Sequence, residues 1–195
     1  MDNCKRMRVA CYCSSRGDLP AEVVEGTGRI VSAIGEAGAE LIYGGVNAGL
    51  MHVVAAAAHE SGAKVIGVVP EVFRHRADEL CDEIILTKDL SERKGVMIDM
   101  ADIFIVLPGG IGTIDEWIST LSHIMVREKM DPYADRPILV WSYNDMYRGM
   151  AEQLRDTDQS IYARGKRVDR SMIFTDPEEL ISRLSKLLHT SRQNR

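Results

Sequence analysis

The sequence predicts an α/β architecture, a parallel sheet of about seven strands with helices on both faces, formed as a single domain over residues 1–195. Three observations carry this expectation. Short apolar runs rich in β-branched residues alternate with amphipathic runs from end to end. Several of the strand-like runs are apolar without interruption, as strands covered on both faces are. Glycine-rich turns stand where strand-like runs give way to helical ones.

Taken in order, the first strand runs from Arg8 to Cys13 and is followed by a helical pattern from Ala21 to Gly35. Glu40 to Tyr43 and Leu50 to Ser61 repeat the unit. Lys64 to Val69 and Glu83 to Leu86 read as two further strands before a helix from Leu90 to Met100, which Asp89-x-x-Glu92 can cap. Ile103 to Leu107 is a short buried strand, and the helix after it, Thr113 to Lys129, shows Ile114, Trp117, Ile118, Leu121 and Met125 at three- and four-residue spacing. Pro137 to Trp141 with Met146 to Asp156, then Met172 to Phe174 with Asp176 to Leu188, complete the series. Thr175-x-x-Glu178 with Pro177 reads as the capping box of the last helix, and the polar tail from Thr190 to Arg195 is expected to fray.

Composition excludes several classes of function. A net charge of −5 and a pI near 5.6 argue against a general nucleic-acid surface, which rests on clustered cations. No apolar stretch of about 18 residues is present, and Met1-Asp2-Asn3-Cys4-Lys5-Arg6 leads into a strand rather than a signal-peptide core, so a cytoplasmic protein without a membrane span is expected. Cys4, Cys11, Cys13 and Cys81 lack paired metal spacing and read as free cysteines, with Cys11 and Cys13 on one face of a strand. The five histidines are scattered, so no metal site is expected. Met97, Met100 and Met125 read as core.

Open α/β sheets bind ligands beyond the carboxyl ends of their strands. Three loops qualify: Cys13-Ser14-Ser15-Arg16-Gly17, Gly44-Gly45-Val46-Asn47-Ala48-Gly49, and Pro108 to Thr113. The last, Pro108-Gly109-Gly110-Ile111-Gly112-Thr113-Ile114-Asp115-Glu116, joins a phosphate cradle to a carboxylate. Glycines let backbone N–H groups approach an anion closely, and the helix N-terminus adds unpaired donors. Neither a dinucleotide fingerprint nor a P-loop is present, so a mononucleotide fits better.

These residues resemble the Lonely Guy (LOG) family of cytokinin-activating enzymes, whose members are often labelled lysine decarboxylases. The family pattern P-G-G-x-G-T-x-x-E, preceded by an Arg-Lys pair, is matched by Pro108 to Glu116 and by Arg93-Lys94. Further matches are Cys13-Ser14-Ser15, Tyr43-Gly44-Gly45 with Gly49-Leu50-Met51, and Val65 to Glu71. The sequence differs at Val46, where a third glycine is common, at Leu90, where methionine is usual, at Ser122-His123-Ile124-Met125, and in a longer segment from Val126 to Arg136. The resemblance implies a Rossmann-like fold, and hydrolysis of the N-glycosidic bond of an adenine-type nucleoside 5′-monophosphate, AMP or a cytokinin riboside monophosphate, to free base and ribose 5-phosphate. It also implies a homodimer with its sites near the subunit contact, and no metal or organic cofactor.

Within that pattern Glu116 is the candidate carboxylate to stabilise an oxocarbenium-like centre and activate water, with a helix dipole favouring its ionised form; a capping role alone would look similar. Arg93 can hold phosphate, ribose hydroxyls or the catalytic carboxylate, or lie solvated on its helix. Lys94 is a weaker binding candidate, because adjacent helix positions point about 100° apart. Asp115 is placed to bind ribose hydroxyls, and Thr113 to donate to phosphate or cap the helix. Ser14, Ser15, Gly44, Gly45, Gly109, Gly110, Ile111 and Gly112 complete the expected binding set, with Gly44 and Gly45 equally readable as a plain strand-to-helix turn and Ser14 and Ser15 similarly open. The rival reading is a non-hydrolytic nucleotide or molybdenum-cofactor binding protein of the same fold. Decarboxylation would need a pyridoxal-phosphate lysine with a partner for the ring nitrogen, and no such pair is visible in the sequence.

Overall fold

A computed structural model describes residues 6–127, 136–159 and 171–193. Cys4, Lys129 and most of the long 126–136 connection lie outside the described residues. The chain builds one seven-stranded, all-parallel sheet in the order β4-β3-β2-β1-β5-β6-β7. The strands are β1 (Arg8–Tyr12), β2 (Glu40–Tyr43), β3 (Val65–Pro70), β4 (Glu83–Thr87), β5 (Ile103–Val106), β6 (Ile138–Trp141) and β7 (Ser171–Phe174). The helices are α1 (Ala21–Glu36), α2 (Gly49–Glu60), α3 (Leu90–Met100), α4 (Ile111–Arg127), α5 (Arg148–Gln159) and α6 (Pro177–Gln193). Short 3₁₀ turns span Glu71–Arg76 and Tyr143–Asp145.

The two-residue period of β1 divides the core. Val9 and Cys11 face one layer with α1, α2 and α6, where Ile30, Ile34, Leu50, Val54, Leu180 and Leu184 are buried. Ala10 and Tyr12 face the other with α3 and α4, where Met97, Ile98, Trp117, Leu121 and Ile124 are buried. Cys11 and Cys13 are free, buried and in the same layer, and burial raises both thiols. Gly26 lets α1 lie close on the sheet, because a Cβ there would fall 2.3 Å from the Trp141 ring. Among the described residues, no helix is long and apolar enough to cross a membrane.

The strand order fixes where a ligand can sit. The chain steps outward from β1 to β4, then returns to the other side of β1 with β5 and steps outward again to β7. The loops after β1 and β5 therefore diverge to opposite faces and leave a crevice between them. Leu107 N–H donates to the Tyr12 carbonyl and Ser14 N–H to the Pro108 carbonyl, which holds the two strand ends together at that point.

Element ends differ in instructive ways from the sequence reading. α4 begins at Ile111, not Thr113, so half of the glycine motif is already helical. The last helix is capped by Asp176, whose Oδ1 accepts from Glu178 N–H, rather than by Thr175, whose carbonyl accepts from Trp141 Nε1. It continues through Gln193, past the expected stop at Leu188, with Thr190 bonded back to the Lys186 carbonyl. Asp89 does cap α3: it accepts from Glu92 N–H, while Glu92 reaches back to Lys88 N–H.

Candidate active site

A cavity of about 280 Å³ opens in the crevice between the loops after β1 and β5. Cys13, Ser14, Ser15 and Arg16 line one side, and Gly110, Gly112, Thr113, Asp115 and Glu116 the other. Arg93 and Lys94 enter from α3, with Leu90 from the same helix and Met51 from α2. Two loops and three helices thus converge at the carboxyl edge of the sheet.

The glycine motif presents donors there. The first backbone hydrogen bond into α4 runs from Ile114 N–H to the Gly110 carbonyl, so the preceding amides of the helix start have no intrahelical acceptor. Gly109 is required by packing: a Cβ on it would lie 2.1 Å from Thr113 Oγ1. Thr113 is itself buried, with its side chain turned back onto the loop.

Glu116 and Arg93 form the charged floor. Arg93 Nη2 lies 3.0 Å from Glu116 Oε1, and the two side chains are only 11% and 8% exposed. The contact is an ion pair rather than an aligned hydrogen bond, since no guanidinium N–H points along the line to Oε1; this buried oxygen keeps its bonding capacity. Arg93 Nε donates to the Val68 carbonyl at 3.1 Å, which fixes the guanidinium at the end of β3.

Burial pushes the Glu116 carboxyl up to about 7, against the opposing pull of Arg93. The helix-dipole expectation of a favoured ionised form is thereby corrected. The dipole contributes only about 0.3–1 kcal/mol, and removing a carboxylate from water costs more.

Lys94, the weaker binding candidate, lines the cavity, its long side chain reaching it despite the angle between neighbouring positions. Its Nζ lies 2.8 and 2.7 Å from the two Asp115 oxygens, and Ser119 Oγ adds a 3.4 Å contact to the same carboxylate. Asp115 is thus a held, outward-facing acceptor at the cavity wall.

Four expected residues do not line the cavity. Ile111 points to solvent, 83% exposed. Gly44 makes room for the Arg93 guanidinium: a Cβ there would lie 2.4 Å from Arg93 Nη2. Gly45 adopts φ +71° and packs on β3, where a Cβ would meet Val69 Cγ2 at 2.4 Å and Gly67 Cα at 2.9 Å. Gly109 acts through the Thr113 contact.

Cys13, Arg16, Met51 and Leu90, none of them among the expected site residues, also line the cavity. A positional signal existed for the last two: each stands in the first turn of a helix that follows a parallel strand, and such turns face the ligand edge. Arg16, at 72% exposure, is paired with Asp18 through two contacts of 3.0 and 2.8 Å. Among the described residues, no group of three or more His, Cys, Asp or Glu side chains could hold a metal ion.

Fold and site together define a Rossmann-like α/β protein with a buried carboxylate and cation in a pocket at the strand switch point. Residues 51–184 match the profile of the family described as "Possible lysine decarboxylase". The chain belongs to this family, the LOG family.

Among its relatives are proteins named cytokinin riboside 5′-monophosphate phosphoribohydrolase from two mycobacteria. The Mycobacterium marinum protein is 36% identical over 78% of this chain and 81% of its own length. The Mycobacterium tuberculosis protein is 37% identical over 76% and 79%. Among solved structures, the molybdenum cofactor binding protein of Rippkaea orientalis superposes with a TM-score of 0.72 over 95% of this chain and 99% of that one. Its sequence identity is 16%, so the likeness is one of fold.

Proposed function

We propose that this protein hydrolyses the N-glycosidic bond of adenine-type nucleoside 5′-monophosphates, AMP or a cytokinin riboside monophosphate, releasing the free base and ribose 5-phosphate. The observation that carries the proposal is the buried Arg93–Glu116 pair beside a helix start rich in unpaired amides. The 5′-phosphate lies at the amides of Gly110 to Thr113, where donors and helix dipole favour an anion. Asp115, steadied by Lys94, accepts from the ribose hydroxyls.

The C1′–N bond breaks with its electron pair leaving on the base, which takes up a proton, while the ribose ring gains oxocarbenium character. Glu116 as carboxylate stabilises that charge, takes a proton from the water whose oxygen bonds to C1′ and releases it to solvent, from which the base takes its proton. Arg93 holds Glu116 in place and favours its ionised form.

A carboxyl brought to about 7 has its proton-accepting form available near neutral pH, which suits a general base. Binding alone, as in a nucleotide or molybdenum-cofactor carrier, gives no reason to bury a carboxylate against a cation. The same reading includes a cytoplasmic homodimer working without metal or organic cofactor.

Purified protein incubated with a panel of nucleoside monophosphates and their nucleosides, with base and ribose 5-phosphate quantified together, tests the proposal. Cleavage of adenine-type monophosphates and poor cleavage of adenosine is the expected result. Tight binding of every member without turnover would favour the carrier reading, and equal kcat/KM for AMP and adenosine would remove the phosphate from the glycine motif.

A further inference from the structure

We propose that Tyr147 is a positioning residue for the anion cradle: its phenol holds the turn after β5 so that the Gly110 amide faces the cavity. The inference rests on the phosphate-binding reading above.

Tyr147 precedes α5, does not line the cavity, and is 2% exposed. Its hydroxyl lies 2.9 Å from the Leu107 carbonyl and 3.2 Å from the Gly109 carbonyl, and its single proton serves both. The carbonyl between them, that of Pro108, accepts from Ser14 N–H at 3.2 Å. Three consecutive carbonyls of one turn are therefore tied to groups outside the turn.

In a trans peptide unit the C=O and the following N–H point in opposite directions, and the described chain contains no cis bonds. Holding the Gly109 carbonyl against Tyr147 consequently aims the Gly110 N–H away from Tyr147, toward the cavity that Gly110 lines.

The delivery of Tyr147 to this place is itself constrained. Ser142 Oγ accepts its backbone N–H at 2.9 Å, and the Trp117 ring, next in sequence to Glu116, meets its ring edge-on at 5.6 Å. Just before it, Asn144 and Asp145 both hold left-handed φ angles of 48° and 57°. Two successive non-glycine residues there carry a conformational cost, least for Asn and Asp, that the surrounding structure sustains. A tyrosine serving only as core filler needs neither the strained turn nor a hydroxyl placed between two carbonyls.

Tyr147→Phe keeps the ring against Trp117 and deletes only the hydroxyl. The test compares wild type and this variant in four readouts: KM and kcat for AMP, Kd for ribose 5-phosphate by calorimetry, Ki for adenosine as a competitive inhibitor, and Tm. The expected result is a rise of about tenfold in AMP KM and ribose 5-phosphate Kd, with kcat within about threefold, adenosine Ki unchanged and Tm lower by only a few degrees.

Equal weakening of phosphate-bearing and phosphate-free ligands, or a wild-type Kd for ribose 5-phosphate, overturns the proposal. If Tyr147→Phe fails to fold, Ser142→Ala, which releases the Tyr147 amide, is expected to raise the ribose 5-phosphate Kd several-fold; wild-type affinity in it overturns the proposal.

Calorimetry needs no turnover, so the two readings fail separately. Wild type that binds ribose 5-phosphate but leaves AMP intact contradicts the hydrolytic reading, while the affinity lost in Tyr147→Phe still reports on the cradle. Wild type that binds no phosphate ligand overturns both.

Discussion

Replacing Glu116 by glutamine should stabilise this protein at alkaline pH while disabling it. Burial raises the Glu116 carboxyl from about 4.5 to about 7, so between those values the folded state binds a proton that the unfolded chain has lost. A raised carboxyl gives full stability below the unfolded value, and that contribution is lost as pH climbs through the folded value. At 1.36 kcal/mol per pKa unit, the wild type loses about 3 kcal/mol across this window. Glu116→Gln resembles the protonated form in shape and cannot ionise, so it escapes this loss. At pH 8 it should exceed the wild type by about 3 kcal/mol, or ~6–12 °C in Tm for a chain of this size, with the two proteins converging near pH 4.5. Denaturant melts of both proteins from pH 4.5 to 8 measure the difference, and pairing them cancels the histidines that titrate in the same range. Parallel curves at all pH values would refute the desolvation argument. In kinetics the wild-type kcat/KM should fall about tenfold per pH unit below about 7, as the carboxylate is protonated, while Glu116→Gln loses at least ~10² in kcat with AMP affinity retained.

Arg93→Ala should lower kcat/KM by ~10²–10³ and weaken AMP binding, because the same guanidinium sits beside ligand space and Glu116. Its effect should not add to that of Glu116→Gln; a double variant far worse than either single one, measured in the same assay, would separate the two residues. Activity should survive EDTA, and loss on chelation with recovery on adding a divalent ion would require a metal in the mechanism. Gly45→Ala should cost about 2 kcal/mol or more in denaturant unfolding, since the left-handed φ and the Val69 contact both oppose a Cβ, while a wild-type midpoint would contradict the packing role given to that glycine.

The strands were legible because a sheet covered on both faces demands continuous β-branched runs, and Ile103 to Val106 could be little else. Arg93 and Glu116 were legible as candidates because both belong to one sequence pattern, the first on α3 and the second in the opening turns of α4. What stayed hidden depends on distance through space. Glycines that admit a ligand and glycines that admit a neighbour look alike in sequence, so the sequence did not announce that Gly44 and Gly45 pack against Arg93 and β3. Glu116 was expected to be favoured in its ionised form because helix position is visible in a sequence and desolvation is not. The bonds from Tyr147 span 40 and 38 residues, with no periodicity to announce them. The start of α4 was placed two residues late because glycine weighs against helix, although at the N-terminal turn, where amides are unpaired anyway, its cost is small.

The most direct test of the account is a turnover of AMP in H₂¹⁸O by the wild-type protein and by Glu116→Gln, with every product identified. The account predicts adenine and ribose 5-phosphate in equal amounts, one ¹⁸O bound at the sugar C1′ position, and at least a ~10²-fold lower rate in the variant. Adenosine with labelled inorganic phosphate, or equal rates in the two proteins, would contradict it.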